Sequence, residues 1–171
     1  MKIASISAPG KGDMDLILAA LAVRLASRGL RVVGLVQVNT ECESGGPCDM
    51  DVQVLPDGAV LRISQSLGPG ARGCRLDPDA LARAVGLVAA RLEGADLLII
   101  NKFGKQEAAG GGFRDVIADA LGTGLPVIVG LNALNAAAFE AFSGGLAEAL
   151  PPDIDVLEAW AVAQAAKRPA A

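Results

Sequence analysis

The chain has 171 residues, of which 52% are hydrophobic, 20% charged and only 3% aromatic, and its net charge is -4. This length and composition predict one globular domain over residues 1–171 with a core of aliphatic side chains. The acidic balance argues against a general nucleic-acid-binding protein, which needs a basic surface. The absence of histidine excludes Ser-His-Asp and Cys-His catalysis.

The amino terminus reaches Gly10 too early for a secretory signal, and no run approaches about 18 uninterrupted apolar residues. We therefore expect a cytoplasmic protein that does not insert into a membrane. In that compartment the three cysteines, Cys42, Cys48 and Cys74, are expected to be reduced thiols.

The first polar loop lies between a short β-rich run at residues 2–7 and a helical apolar pattern at residues 14–28. Strand, glycine loop and helix in this order bring backbone amides and the helix dipole to a point where they can bind an anion. The candidate ligand-binding residues of this loop are Ser7, Gly10, Lys11, Gly12 and Asp13.

This loop departs from the phosphate-binding pattern G-x-x-x-x-G-K-[ST]. Setting its glycines against that pattern puts Ser7 at the first glycine, Asp13 at the lysine and Met14 at the magnesium-binding hydroxyl. Asp13 would repel a triphosphate unless a metal ion or Lys11 compensates. One alternative is a plain turn with Asp13 as the helix N-cap. Another is a loop that binds phosphate or an oxometallate without hydrolysing nucleotides.

The next segments are predicted from turn and capping residues. A continuous apolar strand covers residues 31–38, and the turn 56–58 between two β-rich runs predicts a β-hairpin inserted at about residues 48–66. Asp77 followed by Pro78 predicts the start of a helix that runs to about Leu92.

Cys48 and Cys74 flank this hairpin and are the candidate metal ligands. Their spacing is not that of a structural zinc site, so the signal is weak. The two thiolates could converge with an oxygen ligand from Asp49, Asp51 or Asp77. The alternative is that they are small buried apolar groups or inert thiols.

The second polar loop, residues 101–114, follows the buried apolar run 95–100. Because ligands of open α/β sheets bind at the carboxyl ends of the strands, this loop is the most informative segment of the chain. Its candidate ligand-binding residues are Asn101, Lys102, Lys105, Gln106 and Arg114, and its candidate catalytic residue is Glu107, which could orient a water molecule. The alternatives are a solvated loop and separate surface cations paired with nearby carboxylates.

The remaining pattern predicts a helix at residues 113–121, a strand at 125–130 and a helix at 135–150 that Ser143-Gly-Gly145 interrupts. The tail from Asp153 is predicted to be a short strand or helix. Strands that alternate with helices predict an α/β fold in three layers, with a mostly parallel sheet and a small antiparallel hairpin.

Residues 97–107 resemble the Asp-Glu-Ile-Gly-Lys-Met-Glu segment of the thermophilic nucleoside-triphosphatase family. Gly104, Lys105 and Glu107 match that segment, whereas Asn101 and Lys102 replace its two acids, the Walker B pair.

As a whole, the chain more closely resembles a bacterial family of P-loop-like proteins, a domain of unknown function. The segments that carry this resemblance are residues 48–51, 55–58, 74–77 and 101–107. The resemblance implies a P-loop-NTPase-like topology. Members of that family are often encoded beside molybdate-transport genes, which implies a role in molybdenum metabolism.

These observations leave three functions open. The first is binding of a nucleotide, with Mg²⁺, or of a phosphate-like oxyanion through the degenerate phosphate loop, together with weak nucleoside-triphosphatase activity. The second is a non-catalytic carrier of molybdate or tungstate that serves molybdenum transport or cofactor-assembly proteins. The third is an interaction scaffold with a vestigial site, whose alanine-rich helices mediate homo-oligomerisation.

Overall fold

The computed structural model describes residues 2–10, 12–39, 50–65 and 76–167. The strands in these ranges are β1 (Ile3–Ile6), β2 (Val32–Asn39), β3 (Met50–Leu55), β4 (Val60–Arg62), β5 (Leu97–Phe103), β6 (Val127–Leu131) and β7 (Glu148–Leu150). The helices are α1 (Asp13–Ser27), α2 (Pro78–Ala89), α3 (Lys105–Ala108), α4 (Arg114–Gly122), α5 (Ala136–Ser143) and α6 (Ile154–Ala165), with a 3-10 turn at Ala133–Asn135.

The strands form one sheet in the order β4-β3-β2-β5-β6-β1-β7. The five strands from β2 to β7 in this order are parallel, while β3 is antiparallel to β2 and β4 to β3. The predicted α/β class with a mostly parallel sheet and an antiparallel hairpin is confirmed. Because β6 lies between β1 and β5, the loops that follow these three strands meet at one edge of the sheet.

Helices cover both faces of the sheet, which explains why its central strands are apolar on both sides. On one face, Leu18 and Leu21 of α1 and Leu157 of α6 pack against the strands. On the other face, the core includes Val88 of α2 and Ile117 of α4, together with buried residues of α5. No helix in the described ranges combines the length and apolar character needed to cross a bilayer.

Helix α6 is held on α1 by an ion-pair cluster as well as by apolar packing. The buried carboxylate of Glu158 accepts hydrogen bonds from Arg24 and Arg28, and Arg24 also pairs with Asp155 at 2.8 Å. The Arg28 hydrogen bond and the neighbouring Arg24 charge hold the pKa of Glu158 below its ordinary value.

The start of α2 is predicted correctly, because Asp77 caps it with Pro78 as its first residue. The prediction of one helix over residues 135–150 is wrong. Helix α5 ends at Ser143, because Gly144 and Gly145 adopt left-handed φ values of 61° and 72°, and the chain then forms β7 on the free edge of β1. The tail forms the helix α6, which Asp153 caps.

Candidate functional site

A cleft of about 750 Å³ opens at the edge of the sheet where β1, β5 and β6 end. We call it the first cleft. Its lining residues come from the first polar loop and the start of α1, from the ends of β2, β3 and β5, and from the segment after β6: Ser7, Ala8, Pro9, Gly10, Gly12, Met14, Asp15, Gln37, Met50, Lys102, Leu131, Asn132, Ala133 and Ala136. The segments after β1 and β6 and the ends of neighbouring strands therefore contribute to one cleft.

The amino terminus of α1, which lies in this cleft, has no side-chain cap. Its N-cap is Gly12, with a left-handed φ of 86°, and the alternative prediction of Asp13 as the N-cap is wrong. Asp13 is the first helical residue, and its carboxylate lies beside Gly10, where a Cβ atom would be 1.9 Å from Asp13 Oδ2. The Asp13 N–H donates to the Gly10 carbonyl oxygen at 3.4 Å, and the other amides of the first helical turn, which have no side-chain acceptor, are available to an anion.

A hydrogen bond fixes the first loop to the end of β6, and a glycine there lets two further elements come close. Ser7 Oγ donates a hydrogen bond of 2.7 Å to the carbonyl oxygen of Leu131. Gly130 allows β5 and α1 to approach β6, because a Cβ atom there would lie 2.0 Å from the Asn101 carbonyl oxygen and 2.7 Å from the Met14 sulfur. A side chain at position 130 would push the floor of the cleft apart.

Asn101 connects three elements below the cleft. Its amide side chain is 4% exposed, Oδ1 accepts from the Gln37 backbone N–H at 3.0 Å, and Nδ2 donates to Asp15 Oδ1 at 2.8 Å. A backbone N–H can only donate, so the Asn101 amide nitrogen must face Asp15. An acid at position 101 would set two carboxylates against each other, which gives a physical reason for the asparagine.

The carboxylate of Glu107 is turned into the second polar loop. It is 4% exposed, and its two oxygens accept hydrogen bonds from the backbone N–H groups of Gly104 at 2.8 Å and Phe113 at 3.0 Å. Gly112 makes room for it, since a Cβ atom there would lie 2.1 Å from Glu107 Oε1. Glu107 therefore closes the loop; the catalytic role assigned to it above stays a prediction.

The Arg114 side chain is engaged by a backbone carbonyl group and an aromatic ring. Its guanidinium donates to the carbonyl oxygen of Glu107 at 3.3 Å and lies over the ring of Phe142 of α5, 4.7 Å from the centroid. These contacts give Arg114 a role in packing α4 against α5, and its ligand-binding role stays a prediction.

A second cleft, of about 370 Å³, adjoins the first and shares Gln37, Met50 and Lys102 with it. The predicted residues divide between the two. Ser7, Gly10, Gly12 and Lys102 line the first cleft, and Asn101, Lys102, Lys105, Gln106 and Glu107 line the second. The predicted residues Lys11, Cys48 and Cys74 lie outside the described residues. Within the described ranges, no group of three or more His, Cys, Asp and Glu side chains could hold a metal ion.

Sequence reasoning missed Asp15, Gln37 and Asn132. Asn132 follows β6 directly, and its side chain accepts hydrogen bonds from the backbone and side chain of Asn135. The rule that ligands bind at the carboxyl ends of parallel strands, applied to the predicted strand 125–130, would have selected this segment. Asp15 carried no comparable signal, because its partner Asn101 is 86 residues away.

Three comparisons relate the chain to known proteins. Residues 3–160 match a family model described as "Protein of unknown function (DUF2478)". The molybdenum import ATP-binding protein ModC 2 of Bradyrhizobium diazoefficiens is 39% identical over 160 residues, which are 93% of this chain and 18% of that protein. The chain thus spans less than a fifth of the length of this relative.

The third comparison concerns the fold. The solution structure of a human cancer-related nucleoside triphosphatase matches with a TM-score of 0.67 and 19% identity, over 99% of this chain and 100% of that chain. At this identity the likeness establishes the fold alone, which is a P-loop-like α/β fold.

Proposed function

We propose that this chain, which belongs to the family described as protein of unknown function (DUF2478), binds a nucleotide by its phosphates in the first cleft and hydrolyses it slowly or not at all. One observation carries the proposal: the uncapped, glycine-started amino terminus of α1 opens into the cleft. An anion bound there would accept hydrogen bonds from free amides at the positive end of the helix dipole.

The size and lining of the cleft support a nucleotide. A volume of about 750 Å³ is far more than a tetrahedral oxyanion fills and lies within the range of small-molecule sites. Beside the loop, the wall includes apolar groups that can contact a nucleoside: Met50, Leu131, Ala133 and Ala136.

The charges in the cleft favour a nucleotide that brings its own cation. Lys102 is the only lysine among the described lining residues, and Asp15 contributes a carboxylate. Mg²⁺ is commonly bound by one or two carboxylates together with substrate phosphates and waters. Asp15 fits this pattern, since one of its oxygens is held by Asn101 and the carboxylate lines the cleft. When bound, Mg²⁺ would neutralise phosphate charge.

Slow hydrolysis is proposed because the acids of the resembling triphosphatase segment are replaced by Asn101 and Lys102. Glu107 is the candidate for orienting water, but both of its oxygens already accept backbone hydrogen bonds. To act as a base, Glu107 would have to give up these two hydrogen bonds. Each backbone N–H left without an acceptor would cost about 1–3 kcal/mol of free energy.

The second candidate function is binding of molybdate or tungstate as a non-catalytic accessory to molybdenum transport or cofactor-assembly proteins. The relative named as a molybdenum import ATP-binding protein, which matches 93% of the chain, favours it. A tetrahedral oxyanion would use the same amides of α1 and the same lysine, Lys102. It would leave the apolar wall of the first cleft unused.

Thermal unfolding of the metal-free protein with ATP, GTP, phosphate, molybdate and tungstate, with and without Mg²⁺, tests both candidates. A ligand at about 100 times its Kd raises the free energy of unfolding by about 2.7 kcal/mol. For a domain of this size, the midpoint then rises by about 5–10 °C. We expect the largest shift with a nucleotide and Mg²⁺. A shift with molybdate or tungstate alone supports the second candidate.

Lys102→Gln and Lys105→Gln form a matched pair for this experiment. Both lysines are exposed, but Lys102 lines both clefts and Lys105 only the second. The nucleotide shift should be reduced by Lys102→Gln and retained by Lys105→Gln. If no ligand stabilises the wild-type protein, both candidates fail and the interaction scaffold becomes the better account.

A further inference from the structure

The second cleft opens into the core rather than along the phosphate loop. Four of its lining residues belong to the larger apolar core, namely Leu35, Val52, Ile63 and Phe113, and three half-buried side chains, Met50, Leu76 and Leu81, surround them. The cleft has a volume of about 370 Å³, which is the size of a small-molecule site, and its apolar walls suit the apolar part of a ligand, which would displace water from them.

Most of the polar residues that line this cleft belong to two consecutive elements. Lys102, Lys105 and Gln106 are exposed there, and they come from the end of β5 and from α3. The carboxylate of Glu107, which also lines the cleft, is engaged by the Gly104 and Phe113 amides. An apolar floor beside two lysines is complementary to a molecule that is apolar at one end and anionic at the other.

We propose that the second cleft binds a small organic anion with an apolar or aromatic body. The body packs against the half-buried side chains of Met50, Leu76 and Leu81, and the anionic group lies at Lys102 and Lys105. This site is distinct from the nucleotide site, and the inference does not depend on a nucleotide occupying the first cleft.

The wall of the second cleft is formed before any ligand arrives. Glu107 joins Gly104 to Phe113, and Arg114 is held by the Glu107 carbonyl oxygen and the Phe142 ring. A wall tied down in this way loses little conformational freedom when a ligand binds, which favours affinity. The internal contacts of the second loop therefore hold the wall of the cleft in place, and they occupy both oxygens of the Glu107 carboxylate.

The two clefts are coupled through Lys102, which lines both. An anion in one cleft partly neutralises this lysine and lowers the affinity of the other cleft for a second anion. Linkage requires the effect to be reciprocal. Lys105 belongs to the second cleft alone, so its substitution separates the two sites.

The test uses anilinonaphthalene sulfonate, an aromatic body with one sulfonate, in a fluorescence titration of the folded full chain. We expect saturable binding of one molecule. Leu81→Glu should weaken it about tenfold, because a carboxylate in the apolar wall must lose water and repels the sulfonate. The matched control is Leu87→Glu, a half-buried leucine of the same helix that lies outside the cleft lining. It should leave the affinity unchanged.

Lys105→Gln should weaken probe binding about two- to fivefold, the value of an exposed ion pair. Lys167→Gln should leave probe binding unchanged, because Lys167 lies at the opposite end of the strands. It follows α6, and the Gln164 carbonyl oxygen in the last turn of α6 accepts a hydrogen bond from Lys2, just before β1. Circular dichroism checks that each variant is folded. Since Lys105 is exposed, Lys105→Glu keeps the test valid if Leu81→Glu unfolds.

Equal affinities for Leu81→Glu and Leu87→Glu, or for the Lys105 and Lys167 variants, would overturn the proposal, as would binding that does not saturate at one molecule. Nucleotide stabilisation of Lys105→Gln is measured in parallel. If Lys105→Gln weakens probe binding but keeps nucleotide binding, the two sites are separate. Each proposal can then fail without the other.

Discussion

The two polar loops leave the same edge of the sheet but use their polar groups in opposite ways. The first loop, residues 7–12, ends at a glycine N-cap and leaves the first amides of α1 without a side-chain acceptor. The second polar loop, whose residues 104–113 lie between β5 and α4, contains more charge, yet the carboxylate of its Glu107 accepts from the loop's own backbone. Of these two loops, the more highly charged one is held in shape by its own carboxylate, whereas the loop without a side-chain cap leaves amides that a ligand can use.

The helices α2 and α6 have the side-chain cap that α1 lacks. Asp77 accepts from the amides of Asp79 at 2.9 Å and Ala80 at 3.1 Å at the start of α2, and Asp153 does the same for α6. Substitution of such a cap costs about 0.5–2 kcal/mol of stability, so a helix that lacks one gives up stability at that end. Among these three helices, only α1 begins at the first cleft.

The largest effect is expected from Glu107→Ala, which breaks the second loop. It leaves two backbone N–H groups without acceptors, and we expect the free energy of unfolding to fall by about 2–5 kcal/mol. Urea denaturation followed by the fluorescence of Trp160, the only tryptophan, measures it. Glu93→Ala, at an exposed position, is the control. Unchanged stability with loss of nucleotide hydrolysis would instead make Glu107 catalytic.

Asn101→Asp should break the connection below the first cleft. Two carboxylates would then face each other where Asn101 Nδ2 now lies 2.8 Å from Asp15 Oδ1. Two facing carboxylates raise the pKa of one of them. Each unit of this pKa shift lowers the free energy of unfolding by about 1.4 kcal/mol at a pH above the raised pKa, so we expect a loss of about 1–3 kcal/mol at neutral pH. The loss should disappear as the pH falls through the raised pKa.

The exchange of the two side chains provides the control for this prediction. The double variant Asp15→Asn with Asn101→Asp restores one carboxylate and one amide, and its stability should approach that of the wild-type protein. If Asn101→Asp alone is as stable as the wild-type protein at neutral pH, the contact between Asn101 and Asp15 does not matter for the fold.

Gly12→Ala should have a smaller effect, at the first loop. The left-handed φ of 86° is unfavourable for alanine by about 1–2 kcal/mol, and relief of this strain would move the amides of the cleft. Gly29→Ala is the matched control, because Gly29 follows the carboxyl end of α1, has a similar left-handed φ of 82° and lies outside the cleft lining. Nucleotide stabilisation should fall for Gly12→Ala and persist for Gly29→Ala; the reverse order would place the anion elsewhere.

Much of the fold could be predicted because its signals are local. The hairpin turn, the Asp77-Pro78 helix start and the alternation of strands and helices each lie within a few residues, and the family resemblance is confirmed by the match over residues 3–160. The three residues of β7 carry no such signal, because the free edge of β1 makes them a strand.

The candidate site was only partly predictable, for two different reasons. Glu107 stands three residues after Gly104, which is the capping-box spacing, so its structural role had a local signal that the functional interpretation overrode. The contact between Asn101 and Asp15 joins residues that are 86 positions apart, and it exists only because β5 and α1 meet across β6. The local pattern of a single sequence does not indicate a contact between residues so far apart.

The smallest effect is expected far from both loops, at Glu158. Its pKa in the folded protein lies below the ordinary value of 4.5, first because Arg28 donates to it and then because Arg24 is close. The stability that it contributes is therefore complete above its unfolded pKa and is lost as the pH falls through its folded pKa. Glu158→Gln should flatten this acid loss in urea denaturation.

Glu158→Gln is also a control for nucleotide binding at the first cleft. Glu158 bonds Arg24 and Arg28 at the carboxyl end of α1, the end opposite the first cleft. Nucleotide stabilisation at neutral pH should therefore equal that of the wild-type protein, although α6 is held less firmly. Reduced nucleotide binding would mean that the position of α1, rather than its free amides alone, sets the affinity of the cleft.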